Sequence, residues 1–531
     1  MTLVTFSSWA SSVILTKQVA IKQRGSMRTI PTLRAASVLA ASLWLSGCSP
    51  PADPAAATPD PGGRRLGSIA FEPCSLASPL TGNAIEAQCT TFEVAENPAA
   101  PEGRRIALNI AWLPNTGNSA AMPDPVFLLA GGPGQAATEH AGFVSLALAD
   151  VRKQRDVILI DQRGTGKSHP LACMDDADKA QALPHDADAR TLADFAGKCA
   201  AALDADPRFY TTSEAVGDLE TVRTAMGAEK INLVGVSYGT RVAQQYAARH
   251  PQHTRSLVLD GVAPNDLVVG AEFARTFERS LALQVAQCQK LPSCKARFPS
   301  DLRTQLRTLK TRLAAAPVEV DYRDPATGEF KRDTLTADTV LGISRMFSYM
   351  PQMAALLPVV MDEADAGRYG PLMALAQMMS GSVAGQMTQG MQWSVICAED
   401  APRYRADPAD EATVLGGDMA ELFYAACKGW PAGVASEAFT APLRSDVPAL
   451  LLSGEIDPVT PPEYGERVLA GLPNGRHIVL SGQAHNVIGT GCMPKLVGQF
   501  IETIDPVALD LECTRTIGYV PPFTSLNGWE P

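Results

Sequence analysis

The sequence predicts an α/β protein in which a mostly parallel sheet carries helices on both faces and is interrupted by an inserted helical domain. Three observations predict this class. Short apolar runs rich in β-branched residues end in turn residues, helical stretches separate these runs, and a long segment of helical spacing divides the early runs from the late ones. Such runs are typical of strands buried on both faces of a parallel sheet.

The composition is that of a large globular protein. The 531 residues are 46% hydrophobic and 19% charged, which suffices for a large core and an insertion. The net charge of -11 at pH 7 is not gathered into long runs of one sign. The sequence therefore offers neither a basic face for nucleic acid nor a polybasic patch for a membrane surface, and we expect no nucleic-acid partner.

Residues 1–48 are predicted to contain an export signal. Two arginines precede an apolar stretch over 35–45, which is too short to span a bilayer as a mature helix. The end of the signal, "LSGC", resembles a bacterial lipobox, so Cys48 is the expected lipidated first residue; an ordinary cleaved signal or a buried helix is the alternative. A complete signal begins at Met27. An alternative interpretation is therefore that translation starts at Met27 and that residues 1–26 result from an over-extended start assignment.

Beyond the signal, the chain divides into four predicted segments. Residues 49–70 are rich in Pro, Ala and Gly and are expected to form a disordered tether. Residues 71–265 hold the first part of the sheet domain, which opens with the alternation of antiparallel strands that have one wet face. Residues 266–440 repeat apolar residues at helical spacing and are predicted as a helical cap. Strand patterns return in residues 441–531, which complete the sheet domain.

Six apolar runs are the expected strands of the parallel part of the sheet. They occupy residues 125–134, 155–166, 231–240, 253–264, 447–461 and 475–489. The candidate chemistry follows the ends of these runs.

Cysteine usage agrees with export. Of the 11 cysteines, ten remain once Cys48 is set aside, and an even number in an exported chain suggests disulfides. Connectivity cannot be deduced from sequence, but the cysteines fall into neighbouring couples. These are Cys74 with Cys89, Cys173 with Cys199, Cys288 with Cys294, Cys397 with Cys427, and Cys492 with Cys513. A structural zinc site is the alternative, but the sequence contains no CxxC pair or Cys/His cluster for it.

Ser237 is the candidate nucleophile. It lies in "GVSYG", between an apolar strand and the helical stretch "YGTRVAQQYAARH", which is the strand-turn-helix setting of a nucleophile elbow. Gly235 and Gly239 are expected there because a Cβ at either position would collide as the turn tightens. Alone, the pentapeptide also fits an ordinary turn whose serine caps a helix, so the other members of the site must decide.

A serine hydroxyl needs a general base within hydrogen-bond reach. His485 in "SGQAHNVIG" follows an apolar strand and is preferred to His477, which lies at the start of that strand and is expected to be structural. Asp457, which follows the preceding strand, is expected to orient the imidazole, with Glu455 as its competitor and a plain turn before proline as the alternative. The chain order Ser237, Asp457, His485 is that of α/β-hydrolases.

The loop "AGGPG" over 130–134 is the candidate oxyanion loop. Acyl transfer needs N–H donors aimed at the developing oxyanion. Pro133 has no N–H, so Gly132, or Gly131, is the expected donor, with the N–H of Tyr238 as the second. A plain strand-to-helix turn would use the same glycines.

Five segments together carry a family resemblance. They are "GGPG" at 131–134, "DQRGTGKS" at 161–168, "GVSYGTRVA" at 235–243, "SGEIDPVTP" at 453–461 and "GQAHNV" at 482–487. In this order they resemble the proline iminopeptidase family of serine peptidases, over roughly residues 70–520. The exported, cysteine-containing form with a long cap and "SVICAED" at 394–400 is most similar to the tripeptidyl aminopeptidase branch, with its TAP-like C-terminal region. Family members usually begin the oxyanion loop with His-Gly-Gly-Pro-Gly, whereas Ala130 stands here in place of the histidine.

The resemblance implies an α/β-hydrolase fold and removal of short peptides or single residues from a free N-terminus, without a metal or cofactor. Binding of the substrate ammonium group then requires an anion, because an uncompensated charge in a closed pocket is costly. Glu399, preferred, and Asp400 are the candidates, and an ion pair beside the Cys397 disulfide is the alternative. Asp161 and Arg163 are expected to form an internal ion pair that holds the oxyanion loop.

Two other function classes compete with the peptidase. A carboxylesterase would use the same triad, and a block on the substrate amine would separate the two activities. A binding lipoprotein with a decayed site would not react with a fluorophosphonate. Haloalkane or epoxide chemistry is disfavoured, since those relatives need a carboxylate at Ser237. The expected partners are peptides with a free N-terminus and, through a lipid anchor alone, a membrane of the bacterial periplasm or cell envelope. Oligomeric state is left open.

Overall fold

A computed structural model of the chain describes residues 63–77, 84–173, 188–383 and 387–527, without the side chains of 380–383. The predicted signal, Cys48 and most of the predicted tether lie outside the described residues. No helix in the described part of the chain combines the length and the apolar character that crossing a bilayer requires.

The main sheet is mixed and has ten strands. The strands are β1 (Arg64–Leu66), β2 (Ile69–Ala77), β3 (Ala84–Ala95), β4 (Arg105–Leu113), β5 (Val126–Leu129), β6 (Val157–Ile160), β7 (Ile231–Val236), β8 (Thr254–Asp260), β11 (Ala449–Gly454) and β12 (Gly475–Leu480), while β9 (Val318–Arg323) and β10 (Phe330–Leu335) form a separate hairpin. Their order in the sheet is β1-β2-β3-β4-β6-β5-β7-β8-β11-β12. The pairs from β1 to β4 and the pair β4/β6 are antiparallel, and every pair from β6 to β12 is parallel. The predicted α/β class and its six parallel strands are therefore confirmed.

Fifteen α-helices are described. They are α1 (Ala141–Ala147), α2 (Ala189–Ala202), α3 (Thr212–Ala225), α4 (Tyr238–Arg249), α5 (Phe273–Lys290), α6 (Pro292–Arg297), α7 (Leu302–Ala315), α8 (Ala337–Phe347), α9 (Pro351–Ala354), α10 (Leu357–Asp365), α11 (Gly370–Val383), α12 (Gln389–Glu399), α13 (Asp418–Ala425), α14 (Pro462–Leu469) and α15 (Met493–Thr503).

Helices cover both faces of the sheet. Alternate residues of β7 show this directly, because Leu233 packs in one apolar cluster and Val234 packs in the other. The first cluster includes Tyr246 of α4, and the second includes Phe500 of α15. Burial on both sides explains why the central strands carry runs of consecutive apolar residues and do not alternate apolar with polar residues.

The segment between β8 and β11 has a core of its own. Helices α5, α7, α8 and α10 contribute Phe277, Leu309, Phe347 and Val360 to it, and all four side chains are buried. Helix α12 is an exception, because its Trp393 packs in the same cluster as the sheet. The predicted cap thus contains a helix that is built into the sheet domain, and this placement bears on the active site.

The predicted tether extends too far along the chain. It was expected to run to residue 70, but β1 and the start of β2 occupy its last residues and pair with each other. Ile69 is 5% exposed and packs with Phe71 in the sheet core. Burial of these large apolar side chains stabilises the hairpin. The preceding Pro/Ala/Gly stretch of the sequence has no side chains of this kind.

All five predicted disulfides are confirmed. The pairs join Cys74 to Cys89, Cys173 to Cys199, Cys288 to Cys294, Cys397 to Cys427, and Cys492 to Cys513, with Cα atoms 5.2–6.3 Å apart. Disulfides persist in oxidising compartments, so this framework fits an exported protein.

Candidate active site

Ser237 stands at a sharp turn between β7 and α4. Its backbone has φ 56° and ψ -122°, a conformation that a non-glycine residue rarely adopts. Its N–H donates to the carbonyl of Asp260 at 2.8 Å. A Cβ at Gly235 would lie 2.5 Å from the Gly239 carbonyl oxygen, and one at Gly239 would lie 2.1 Å from the Leu129 carbonyl oxygen. The tight turn thus needs both glycines, and it raises the serine above the carboxyl end of the sheet.

His485 and Asp457 are in direct contact. His485 Nδ1 lies 2.8 Å from Asp457 Oδ2. The carboxylate is fully buried, and its oxygens also accept hydrogen bonds from the N–H of Val459, the N–H of Thr460 and the Thr460 hydroxyl, each at 2.8 Å. These donors fix the carboxylate, which in turn holds the imidazole with Nδ1–H as donor and leaves Nε2 as the proton acceptor.

The charges of this pair stabilise each other. Burial alone would raise the pKa of Asp457, but the charge and hydrogen bond of His485 and the backbone donors outweigh it and lower that pKa below its ordinary value. Burial alone would lower the pKa of His485, but the charge and hydrogen bond of Asp457 overcome both burial and the opposing charge of Arg345, and the net shift is upward. A protonated His485 would therefore be stabilised in this position.

We expect the acid limb of the kcat/KM profile to lie above pH 6.5, the ordinary pKa of histidine, because the pKa of His485 is raised. His485 acts as a base only when neutral, so activity is lost as the pH falls through this raised pKa. Initial rates across the neutral range check this. A limb near pH 6 would instead match Asp260, whose pKa is raised to about 6, and would contradict the assignment to His485.

Asp260 is a site residue that the sequence reasoning missed. It ends β8, is fully buried, and accepts hydrogen bonds from the N–H groups of Val487 at 2.9 Å and Ile488 at 3.0 Å. Burial raises its pKa to about 6 against the pull of these donors. The carboxylate thus holds the loop that carries His485. Its signal was present, since Asp260 is the last residue of a strand, and Asp457 also lies close to a strand's carboxyl end.

One pocket of about 310 Å³ brings the predicted residues together. Gly132, Ser237, Tyr238 and His485 all line it. Gly132 has φ +111°, and a Cβ at Gly131 would lie 3.2 Å from Ser237 Cβ, so the glycine loop runs directly beside the nucleophile. The backbone of this loop is therefore placed where an oxyanion would form.

The segment between β8 and β11 closes the pocket opposite the sheet. It contributes Phe273, Arg345, Met346, Tyr349, Gln392 and Phe423. No carboxylate lines the pocket among the residues that the structure describes. The wall facing Ser237 is thus mostly apolar, with one cationic side chain.

Glu399 and Asp400 do not line this pocket, contrary to the expectation that they bind the substrate ammonium group. Both are buried, at 2% and 0% exposure. Glu399 accepts hydrogen bonds from the N–H and hydroxyl of Thr212 at 2.7 and 2.9 Å, and Asp400 pairs with Arg241 at 3.2 Å. Burial raises the pKa of Glu399 to about 8. Because α12 packs into the sheet domain, Glu399 at its end and Asp400 just after it face α3 and α4. The Thr212 hydroxyl also forms a hydrogen bond with the Tyr238 hydroxyl at 2.6 Å.

The expected ion pair between Asp161 and Arg163 is also wrong. Arg163 instead forms a two-point ion pair with Asp218 of α3, at 2.7 Å for both contacts. Asp161 accepts from the N–H and hydroxyl of Thr138 at 2.9 Å and from Asn109 at 2.8 Å. Asp161 therefore does anchor the segment that follows the oxyanion loop, but it does so through neutral donors.

The two competitors for triad roles lie elsewhere. His477 Nε2 contacts the Ser453 hydroxyl at 2.9 Å, and burial lowers its pKa to about 4, so it is neutral and structural. Glu455 accepts hydrogen bonds from the Ser481 hydroxyl and the Gly482 N–H at 2.8 Å. Neither side chain lines the Ser237 pocket.

One cluster away from the pocket has the composition of a metal site. Ligand atoms of Glu220, His250 and His253 lie within 4.8 Å of one another. The carboxylate of Glu220 is already engaged, since it forms an ion pair with Arg223 at 2.6 Å and accepts from the Tyr246 hydroxyl at 2.7 Å. The positive charge of Arg223 beside this carboxylate disfavours binding of a metal cation. We therefore assign no function to the cluster.

Comparisons with known proteins match both halves of the site. A family model described as alpha/beta hydrolase fold matches residues 124–313, which include Ser237, and one described as TAP-like protein matches residues 412–513, which include Asp457 and His485.

Relatives with curated names agree with these matches. Serine protease Hip1 of Mycobacterium tuberculosis is 25% identical over 498 residues, which cover 88% of this chain and 94% of the relative. Tripeptidyl aminopeptidase of Streptomyces lividans is 31% identical over 188 residues, covering 33% of this chain and 35% of the relative. Proline iminopeptidase of Neisseria gonorrhoeae is 32% identical over 139 residues, covering 26% and 32%. The match to each of the last two thus spans about a third of the relative's length.

Proposed function

The chain is an α/β-hydrolase of the serine peptidase family that includes proline iminopeptidases and tripeptidyl aminopeptidases, and from this premise we propose that it releases short peptides or single residues from free N-termini. The observation that carries the proposal is the contact of His485 with a buried Asp457 at the edge of the pocket that Ser237 lines.

The reaction proceeds through an acyl-enzyme. Ser237 Oγ attacks the peptide carbonyl carbon while His485 Nε2 takes the hydroxyl proton, and Asp457 stabilises the imidazolium. The N–H groups of Gly132 and Tyr238 bind the oxyanion. Collapse of the intermediate breaks the C–N bond, and His485 gives its proton to the leaving amine. Water, deprotonated by His485, then attacks the acyl ester. The bond from Ser237 Oγ to the acyl carbon breaks as His485 returns its proton to that oxygen, which releases the acid product and restores the free serine.

The pocket favours a short substrate segment. Its volume of about 310 Å³ is at the lower end of the range for sites that enclose a drug-sized ligand. Side chains of α8 and α13 stand over the nucleophile, so a folded loop of a larger protein has little room to enter. A chain end fits better, which supports exopeptidase activity and leaves the number of released residues to be measured.

We expect acetylation of the substrate amine to lower kcat/KM by about 100-fold or more, because a site selective for a charged amine rejects an analogue that lacks it. The test compares alanine peptides of increasing length, each with a free and an acetylated N-terminus, with products identified by mass spectrometry. Equal rates for both forms would contradict the aminopeptidase proposal while keeping the hydrolase.

A carboxylesterase is the second candidate, and one observation favours it. No described carboxylate lines the pocket to pair with an ammonium group. An esterase has no need of one, since its substrates carry no amine. Faster hydrolysis of neutral acyl esters than of any free-amine peptide would support this alternative.

The proposal includes a location. The disulfides fit an exported protein. A lipid on Cys48 would hold the enzyme at a membrane of the cell envelope, with the tether as spacer. Its partners would then be peptides present in that compartment.

A further inference from the structure

Arg345 is the one cationic side chain on the wall of the described Ser237 pocket. It extends from α8, and its guanidinium carbon lies 4.3 Å from the centre of the Phe273 ring and 5.5 Å from that of Tyr349. Its Nε is buried and has no hydrogen-bond partner among the described residues. The aromatic rings thus hold the guanidinium in place and leave hydrogen-bonding capacity unused.

The charge of Arg345 lacks the kind of partner that other buried arginines have. Arg241 pairs with Asp400 and Arg163 pairs with Asp218. No carboxylate of the described residues lines the pocket beside Arg345, and the sequence over 380–386 contains no acidic residue. An unpaired, partly desolvated cation costs free energy that an arriving anion recovers.

The position of Arg345 shows on which side of the scissile bond it would meet the substrate. The Tyr349 ring meets the His485 ring edge-on at 5.2 Å between centres, and the Tyr349 carbonyl accepts from the His485 N–H at 3.1 Å. Arg345 therefore lies on the histidine side of the pocket. The oxyanion loop is bound elsewhere, to the N–H of Thr388 through the Gly134 carbonyl at 2.9 Å. Since the histidine protonates the departing amine, the side near His485 receives the leaving group.

We propose that Arg345 binds a substrate carboxylate on the leaving-group side of the scissile bond. This inference rests on the proposed peptidase function and names its substrate class: short peptides with a carboxylate close after the cleaved bond. A guanidinium presents two parallel N–H donors that match a carboxylate. The carboxylate has two sources, the free C-terminus of a short peptide or an acidic side chain.

The experiment compares matched peptides with the full-length enzyme. Alanine peptides with a free amine are assayed as C-terminal acids and as C-terminal amides, and amidated peptides carrying one Glu are assayed against the same peptides carrying Gln. We expect wild type to prefer one anionic form by about 10-fold or more in kcat/KM, mainly through KM. The acid/amide pair detects the C-terminus, and the Glu/Gln pair detects the side chain.

Substitutions assign the preference to Arg345. Arg345→Met keeps an apolar stem over Phe273 and is expected to bring the preference ratio to about 1, while Arg345→Lys keeps part of it. Arg332→Met is the matched control, because Arg332 is 66% exposed on the β10 hairpin and pairs with Asp321. We expect this control to keep the wild-type ratio.

Three outcomes overturn the inference. Wild type that cleaves neutral and anionic peptides equally well would refute the carboxylate site and leave the peptidase intact. If Arg345→Met still prefers the anionic peptides, a group other than Arg345 binds the carboxylate. If no peptide of any form is cleaved, the proposed function fails, and the inference fails with it. The wild-type ratios need no variant, so the test stands even if Arg345→Met does not fold.

Discussion

Replacement of Ser237 by alanine is expected to abolish peptide hydrolysis. Loss of the nucleophile from a serine hydrolase triad lowers kcat by about 10⁴-fold or more, because no acyl-enzyme can form. The substitution removes one oxygen atom and keeps the Cβ, so the strained turn at φ 56° remains as it is. Initial rates on the best free-amine peptide, with protein concentrations matched, measure the effect.

The fold is the control for this substitution. Within the described part of the chain, the Ser237 hydroxyl makes no hydrogen bond on which the fold depends. The Ser237 N–H, which donates to the Asp260 carbonyl, is unchanged in alanine. We expect the midpoint of thermal unfolding to stay within about 4 °C of wild type. A folded variant that still hydrolyses the peptide at a tenth of the wild-type rate would refute the nucleophile assignment.

The substitution Asp457→Asn is expected to lower kcat by about 10⁴-fold. The side chain keeps its size, but an amide that donates toward Nδ1 favours the tautomer in which Nε2 carries the proton and cannot accept it. The buried carboxylate now accepts from Val459 and Thr460 on Oδ1 and from Thr460 and His485 on Oδ2. An asparagine has only one side-chain oxygen, so it can accept the hydrogen bonds of Oδ1 or those of Oδ2 but not both sets.

Glu455→Gln is the matched control for Asp457→Asn. Glu455 lies two residues away and is likewise a hydrogen-bond acceptor, from Ser481 and Gly482, but it does not contact His485. We expect its kcat to stay within about threefold of wild type, as for a substitution outside the site. A large loss in Glu455→Gln together with a small loss in Asp457→Asn would reverse the assignment of the two acids.

Much of the fold was predictable because its signals are local. The strands β5 to β8, β11 and β12 could be located without knowledge of their partners, because each contains a run of consecutive apolar residues that turn residues follow. The disulfides could be paired because each joins cysteines no more than 30 residues apart. The spatial order of the strands, with β6 outside β5, is a property of the whole sheet.

The positions of the three candidate triad residues were predictable for the same local reason, while the placement of the acidic residues at the end of α12 was not. Ser237, Asp457 and His485 each follow a strand, and carboxyl ends of parallel strands meet at one edge of the sheet. The role of Glu399 depends on which side of α12 faces the pocket. That is decided by distant partners, Thr212 in α3 and Arg241 in α4, which nothing near Glu399 in the sequence identifies.

Arg345 shows the opposite difficulty. In the sequence it is one of the charged residues of an amphipathic helix, and such residues usually face water. Its position in the pocket follows from the packing of α8 over the sheet edge, which brings it near Phe273 and Tyr349. Arg345 matters because no acidic side chain in the described pocket wall pairs with it. The lack of such a partner can be seen only once the residues of the pocket are known.

The most direct test of the central claim is covalent labelling of the wild-type enzyme with a fluorophosphonate, followed by peptide mapping by mass spectrometry. The reagent reacts with a serine that an adjacent base activates. We expect one adduct, on the peptide that contains Ser237, and no adduct in Ser237→Ala. An adduct on a different residue, or an unlabelled protein that hydrolyses its substrate, would contradict the central claim.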